Sequence, residues 1–381
     1  MRSPKPMSHT NNPARRHFMV SGTAAAVALS VNSAQASVQA SNQAQAAAKT
    51  MEAAQTEISR QVGLSTAKWT DKLAHPIPYK NGPGAGRARG LVLGGGGTYL
   101  LAWTVGYFRA LKKNGVDMNT ADVIVGTSAG SIAAAMLTNG SLNRFKSELD
   151  FFAEFPKVFT KLVPALKSNP SQARARHMAI SAINTNPSTI QAIGHAAMAA
   201  HNPDGPDRHF NVLKEILLRT QWPSSKLYTT AVDCYTGERL VVSESSGIPV
   251  NVACAASSSL PGALGPTWLH DRLCMDGGIC ETSTHSDVVT GVKRALIFSL
   301  SDGGPDAVKL GLRTSGMPNT LQQEIKDLEA AGTKTKLIVC GLLPGQTSLN
   351  SIMDPQWIAP MLKYGFERGA ADAAMLKDFW N

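Results

Sequence analysis

Asp122-Val123-Ile124-Val125-Gly126-Thr127-Ser128-Ala129-Gly130-Ser131-Ile132-Ala133-Ala134-Ala135-Met136-Leu137 runs from an apolar, β-branched stretch through five small residues into an alanine-rich stretch that stops at Asn139 and Gly140. Branched aliphatic residues favour a buried strand and alanine favours a helix. Gly126 and Gly130 bracket the join, where side chains would keep strand and helix apart, so a sharp turn is expected there. The same order occurs just upstream. Gly90-Leu91-Val92-Leu93 is a short apolar run, Gly94-Gly95-Gly96-Gly97 interrupts it, and an apolar and aromatic stretch follows through Leu111 to a stop at Lys112, Lys113, Asn114 and Gly115. Two consecutive strand–loop–helix units predict an α/β fold with a mostly parallel sheet covered by helices, because a parallel neighbour needs a crossover that packs back onto the sheet. Further strands are expected over 227–232, 239–243, 295–300 and 336–342, and a last helix over 361–379.

The 381 residues are 43% hydrophobic and 17% charged, which suits one sizeable globular domain with ancillary sequence. Arg15-Arg16-His17-Phe18-Met19, a moderately apolar run over 20–31 and Ala34-Gln35-Ala36 look like a twin-arginine export signal with its cleavage site. The expectation is an exported protein, periplasmic or extracellular. Residues 1–36 hold four cations and no acid, so their removal lowers the formal charge from +10 to +6. That mild excess suits peripheral contact with anionic headgroups. No basic block interleaved with aromatics occurs, which argues against nucleic acid. Residues 37–86 read as an Ala/Gln-rich leader and a Pro/Gly linker, and 87–381 as the domain. No further stretch reaches the ~18 apolar residues of a membrane span, so the processed chain is expected to be soluble.

Within that domain, 141–219 is helical in character and places Phe145, Phe151, Phe152, Phe155 and Phe159 among Arg and Lys residues. It reads either as a lid-like insertion facing lipid or as an amphipathic layer with its phenylalanines in the core. The five cysteines lack C-x-x-C spacing and read as buried thiols, with Cys274 and Cys280 as the one pair considered for oxidation.

Ser128, centred in its five-residue turn, is the candidate nucleophile, since the start of a helix favours developing negative charge. Gly94-Gly95-Gly96-Gly97 would offer backbone N–H groups to an oxyanion, each worth about 3–4 kcal/mol in the transition state. A dinucleotide loop is the rival, but a third glycine is missing where Tyr99 or Leu100 stands, and no Gly-Lys-Ser/Thr follows for a P-loop. Asp276-Gly277-Gly278 supplies a carboxylate on a tight turn, which is weak evidence alone.

These three elements in this order resemble the patatin-like phospholipase family over about Arg89 to Val289. The resemblance extends to Thr230-Ala231-Val232-Asp233, Thr236-Gly237-Glu238 and Ala256-Ser257-Ser258-Ser259-Leu260-Pro261-Gly262. It implies a three-layer α/β/α fold, a serine lipid acyl hydrolase without cofactor or metal, Ser128 as nucleophile, Asp276 as general base, and Gly95, Gly96 and Gly97 as oxyanion donors. Its substrate would be a phospholipid, lysophospholipid or similar acyl ester. The family's usual basic residue and glycine after the glycine run are Tyr99 and Leu100 here, and its usual Asn and Pro after the Asp-Gly-Gly are replaced by Glu281-Thr282-Ser283. Only His285 follows Asp276, and the histidines read as surface or supporting groups rather than a third catalytic member. A bare carboxylate is a weak base for a hydroxyl, so Asp276 needs an apolar pocket that raises its pKa. The alternatives are a lipid-binding protein that keeps the fold without turnover, and a soluble esterase or thioesterase.

Overall fold

The computed structural model describes residues 82–162, 169–200, 205–280 and 282–380, with the isolated positions 42, 45 and 46. The expected export signal and nearly all of the leader lie outside the described residues. The domain opens with the two units expected: β1 (Arg89–Leu93), α1 (Gly97–Lys113), β2 (Val123–Gly126) and α2 (Ala129–Thr138). Five helices follow, α3 (Leu142–Glu154), α4 (Pro156–Leu162), α5 (Pro170–Ser181), α6 (Pro187–Ala199) and α7 (Gly205–Leu217). The chain then returns to the sheet with β3 (Leu227–Asp233), β4 (Arg239–Ser243), α8 (Val250–Ser257), β5 (Thr267–Leu269) and β6 (Arg272–Asp276). β7 (Arg294–Ser299), α9 (Leu321–Ala330), β8 (Lys334–Val339) and α10 (Ile358–Trp380) complete it.

The strands form one mixed sheet in the order β5-β6-β3-β2-β1-β7-β8, with β4 also paired to β3. β3, β2, β1, β7 and β8 are parallel neighbours, whereas β4 and β6 run antiparallel to β3 and β5 antiparallel to β6. The strand β3 decides where the site lies. Its residues Tyr228–Val232 pair with β4, its first residues also pair with β2, and its last ones also pair with β6. One edge of a strand cannot hold two partners at the same residues, so β2 and β6 share the edge opposite β4. They approach from opposite directions and stop facing each other, with Gly126 opposite Thr229 and Asp276 opposite Ala231. Two residues of strand are roughly 7 Å, so the segment after β2 and the end of β6 are forced together.

Both faces of the parallel half are covered, as alternation along its strands requires. Leu91, Leu93 and Phe298 face Trp103, Tyr107 and Phe108 of α1, while Val92, Val125 and Ile297 face Val288, Val289 and Leu328. The long helix α10 lies on α1 at backbone contact. A Cβ on Gly106 would stand 2.2 Å from the Leu362 carbonyl oxygen, and one on Gly365 2.1 Å from that of Trp103. Such an approach admits glycine alone, and Tyr107 secures it by donating to Asp372 at 2.7 Å. No disulfide joins the five cysteines, all of which are buried.

The helical region after α2 divides its phenylalanines. Phe145 and Phe159 are buried in the core, Phe152 is half-buried, and Phe151 and Phe155 are each 47% exposed. Phe151 and Phe155 stack with ring centroids 5.0 Å apart. Some of these phenylalanines thus belong to the core and others stand exposed in one helix layer. Among the described residues no helix is long and apolar enough to cross a membrane.

Candidate active site

Ser128 lies between β2 and α2 with φ 53° and ψ −121°, a backbone that a non-glycine residue adopts only when its surroundings force it. Those surroundings are backbone. A Cβ on Gly126 would meet the Gly130 carbonyl oxygen at 2.5 Å, and one on Gly130 would meet the Leu93 carbonyl oxygen at 2.0 Å. The turn can close only because both are glycine, and closing it pushes the serine outward, half-buried at the start of α2.

Ser128 Oγ donates to Asp276 Oδ2 at 2.7 Å across 148 positions of sequence. Asp276 is only 4% exposed, and its other oxygen accepts the Gly278 N–H at 2.7 Å. Burial pushes its carboxyl up to about 6, against the opposing hydrogen bonds from Gly278 and Ser128. The carboxylate is thus ionised at neutral pH yet basic enough to take a proton. The segment Ala256 to Gly262 holds both partners from behind. Ser257 Oγ accepts the Ser128 N–H at 2.9 Å, and the Ser259 carbonyl accepts the Asp276 N–H at 2.9 Å. Gly277 packs on β3, where a Cβ would stand 2.5 Å from Thr230 Oγ1. Thr230 in turn meets Thr127 at 2.7 Å, tying the turn after β2 to the wall of the aspartate.

The glycine loop lies beside the serine, with the Cβ position of Gly95 3.2 Å from Ser128 Cβ. Not all of its donors are available. Gly94 N–H is bound to the Phe298 carbonyl and Gly95 N–H to the Ser283 carbonyl, both at 2.9 Å. This corrects the assignment of Gly95 as an oxyanion donor: its peptide is spent in fixing the loop to the segment after Asp276. Gly96 and Gly97 N–H groups have no partner among the described residues, and neither has that of Ala129, the first residue of α2. Ala129 was not singled out from sequence, although an unbonded N–H just after the serine follows from any helix that starts there.

The departures after the glycine run are accommodated away from this surface, and the one at Ser283 lies beside it. Tyr99 is fully buried, donates to Gln346 at 3.0 Å and accepts the Leu343 N–H at 2.9 Å, so it secures a distant loop. Leu100 is core. Ser283 stands between the glycine loop and Gly278, close to the Cβ positions of both Gly95 and Gly278. Neither of the two histidines nearest Asp276 in sequence reaches Ser128. His270 is exposed and bonds the Ser246 carbonyl at 2.9 Å, and His285 is buried and bonds the Gly277 carbonyl.

A family model described as patatin-like phospholipase matches residues 91–286, more than half of the chain. The chain belongs to that family. The match begins in β1 and takes in the glycine loop, Ser128 and Asp276. No curated protein matches. Among solved structures, the type III effector protein ExoU is 15% identical over 79% of this chain and 58% of its own, with a TM-score of 0.27. VipD from Legionella pneumophila is 13% identical over 80% of this chain and 70% of its own, with a TM-score of 0.33. The chain thus spans less than two thirds of the ExoU structure. Membership in a patatin-like phospholipase family supports lipid acyl hydrolysis as the general chemistry of this fold.

Proposed function

We propose that this patatin-like protein is a serine lipid acyl hydrolase that cleaves carboxylic esters, of a phospholipid, lysophospholipid or similar lipid, through a covalent intermediate on Ser128. The observation that carries the reading is the 2.7 Å hydrogen bond from a strained, half-exposed serine to a buried carboxylate with a raised pKa. Ser128 Oγ attacks the acyl carbonyl carbon while its proton passes to Asp276 Oδ2, and the carbonyl oxygen takes up the negative charge. N–H groups of Gly96, Gly97 and Ala129 receive that charge. As the tetrahedral species collapses, the ester C–O bond breaks and the leaving alcohol takes the proton from Asp276. Water then gives a proton to Asp276 as it attacks the acyl-enzyme, and Ser128 recovers it when the acid departs. The exposed pair Phe151 and Phe155, in a layer that also carries Lys146, Lys157 and Lys161, supports contact with a lipid surface and favours a lipid over a dissolved ester. The twin-arginine-like N-terminus supports export as the setting.

A fluorophosphonate probe tests the chemistry. Wild type is expected to take the label, Ser128→Ala to lose it altogether because the bond forms on the oxygen it lacks, and Asp276→Ala to slow it by a thousand-fold or so, in line with the loss of a general base. Equal labelling of wild type and Ser128→Ala defeats the reading. A panel of lysophospholipids, diacyl lipids and simple esters, with Ser128→Ala as blank, then sorts lipid from soluble-ester specificity.

A further inference from the structure

Behind Asp276 lies a buried polar cluster that the reaction itself does not use. His285 is 1% exposed and takes the left-handed backbone at φ 52°. Its Nε2 lies 2.7 Å from the Gly277 carbonyl oxygen, which can only accept, so that nitrogen carries the proton. Its Nδ1 lies 3.2 Å from the Arg239 guanidinium, which can only donate, so that nitrogen offers its lone pair. The two ends together select one neutral tautomer. Arg239, on β4, is fixed in turn by a two-pronged ion pair to Asp287 at 2.6 and 2.7 Å. Glu324, on α9, accepts the Ser286 N–H at 3.0 Å and the Thr284 hydroxyl at 3.1 Å, which holds the chain on either side of His285. Among the described residues, Arg239, Asp287, Glu324 and the Cys280 thiol, 3.7 Å from Nε2, are the charged or titratable groups that act on the ring.

The Gly277 carbonyl and the Gly278 N–H belong to one planar trans peptide and point from its opposite edges. His285 grips one edge and Asp276 Oδ1 the other. With glycine on both sides, this plane has little intrinsic resistance to rotation, so its orientation must be imposed from outside. We propose that His285 is a positioning residue for the Ser128–Asp276 pair: by holding the Gly277 carbonyl it keeps the Gly278 N–H on Asp276 Oδ1, and thereby fixes the carboxylate with Oδ2 toward Ser128. The Cys280 thiol, whose Sγ donates to the same carbonyl at 3.1 Å, is a weaker second pin. Burial and the neighbouring Arg239 charge hold the imidazole down to about 4, so the grip stays constant over the pH range in which Asp276 titrates.

The inference rests on reading Ser128 and Asp276 as the reacting pair, and its test separates the two. Fluorophosphonate labelling rates are measured against pH for wild type, His285→Leu and His285→Gln. Leucine removes the donor, so labelling slows about ten- to a hundred-fold, the range for losing a hydrogen bond that serves a charged group. The acid limb also moves to higher pH, because Asp276 loses a bond that favours its ionised form. Glutamine, whose amide nitrogen can take the Nε2 position, restores most of the rate and returns the limb. A role confined to packing would lower the melting temperature and leave the limb in place. A soluble His285→Leu with the wild-type rate and limb overturns the proposal alone, whereas an unlabelled wild type overturns the reacting pair. Should the leucine variant not fold, nitrogen-15 spectra of wild-type imidazoles decide. A ring that carries a proton on Nε2 from pH 5 to 8 is expected, and the tautomer protonated on Nδ1 alone in that range overturns the proposal.

Discussion

The two sides of the Ser128–Asp276 pair are built from different materials. On the serine side, backbone packs on backbone: Gly130 against the end of β1, Gly126 against Gly130, and a left-handed φ at the residue between them. On the aspartate side, side chains from β4 and α9 hold His285 and its neighbour Ser286, and the His285 ring grips one peptide plane. The first construction needs five consecutive residues and is written into them. The second needs residues as far apart as Arg239 and Glu324. A strained turn and a polar network can therefore serve one reaction while failing in different ways.

The largest expected effect breaks the serine side. Gly130→Ala would set a Cβ 2.0 Å from the Leu93 carbonyl oxygen and 2.8 Å from that of Gly94, neither of which can move without displacing β1 or the glycine loop. A loss of about 3 kcal/mol or more, with fluorophosphonate labelling abolished, is expected from forced overpacking at this site. A variant that melts and labels like wild type would show that the turn is not held by contact.

The next effect sharpens the aspartate side. Because burial raises Asp276 from 3.8 to about 6, its ionised form is penalised in the folded chain. Stability is therefore lost as pH rises through the interval between those values. Asp276→Asn escapes that penalty, so at pH 8 it should be more stable than wild type by about 1–3 kcal/mol, and the gap should close near pH 4. The same titration predicts that wild-type labelling falls about tenfold per pH unit below an apparent pKa near 6, as the base is protonated. Thermal melts at the two pH values and a labelling profile measure both, and a pH-independent gap would mean that the carboxylate is not desolvated.

The smallest effect lies outside both sides. Tyr99→Phe removes a hydroxyl that bonds Gln346 and the Leu343 N–H, which should cost about 1–2 kcal/mol in a melt and leave the labelling rate unchanged. A slowed rate would bring this departure from the family pattern back into the site.

The contrast also explains what the sequence disclosed. The strand–turn–helix at Ser128, the glycine run and the Asp-Gly-Gly are local, and the expected strands at 227–232 and 239–243 fall within those observed. α8 was not foreseen: it is eight residues long and nearly all of it is buried, so it has no polar face to mark a helical period. The three-residue strand β5 is likewise too short for alternation to register. Ser257 and Ser259, noted only as part of the resembling segment, hold the backbone of both partners, and Gly95 looked like a donor because its bond to Ser283 spans most of the domain. The role of His285 depends on a guanidinium 46 positions away, a distance over which a single chain shows no pattern.

The meeting of β2 and β6 on one edge of β3 gives this domain a fault line. Release of the short β5–β6 hairpin would carry the carboxylate off while the parallel strands, the strained serine and the glycine loop stayed in place. The protein would then hold a dormant nucleophile inside an intact fold. On the proposed reading, labelling of Ser128 would fade before melting begins, and would report on the health of the sheet's antiparallel margin rather than on the stability of the whole.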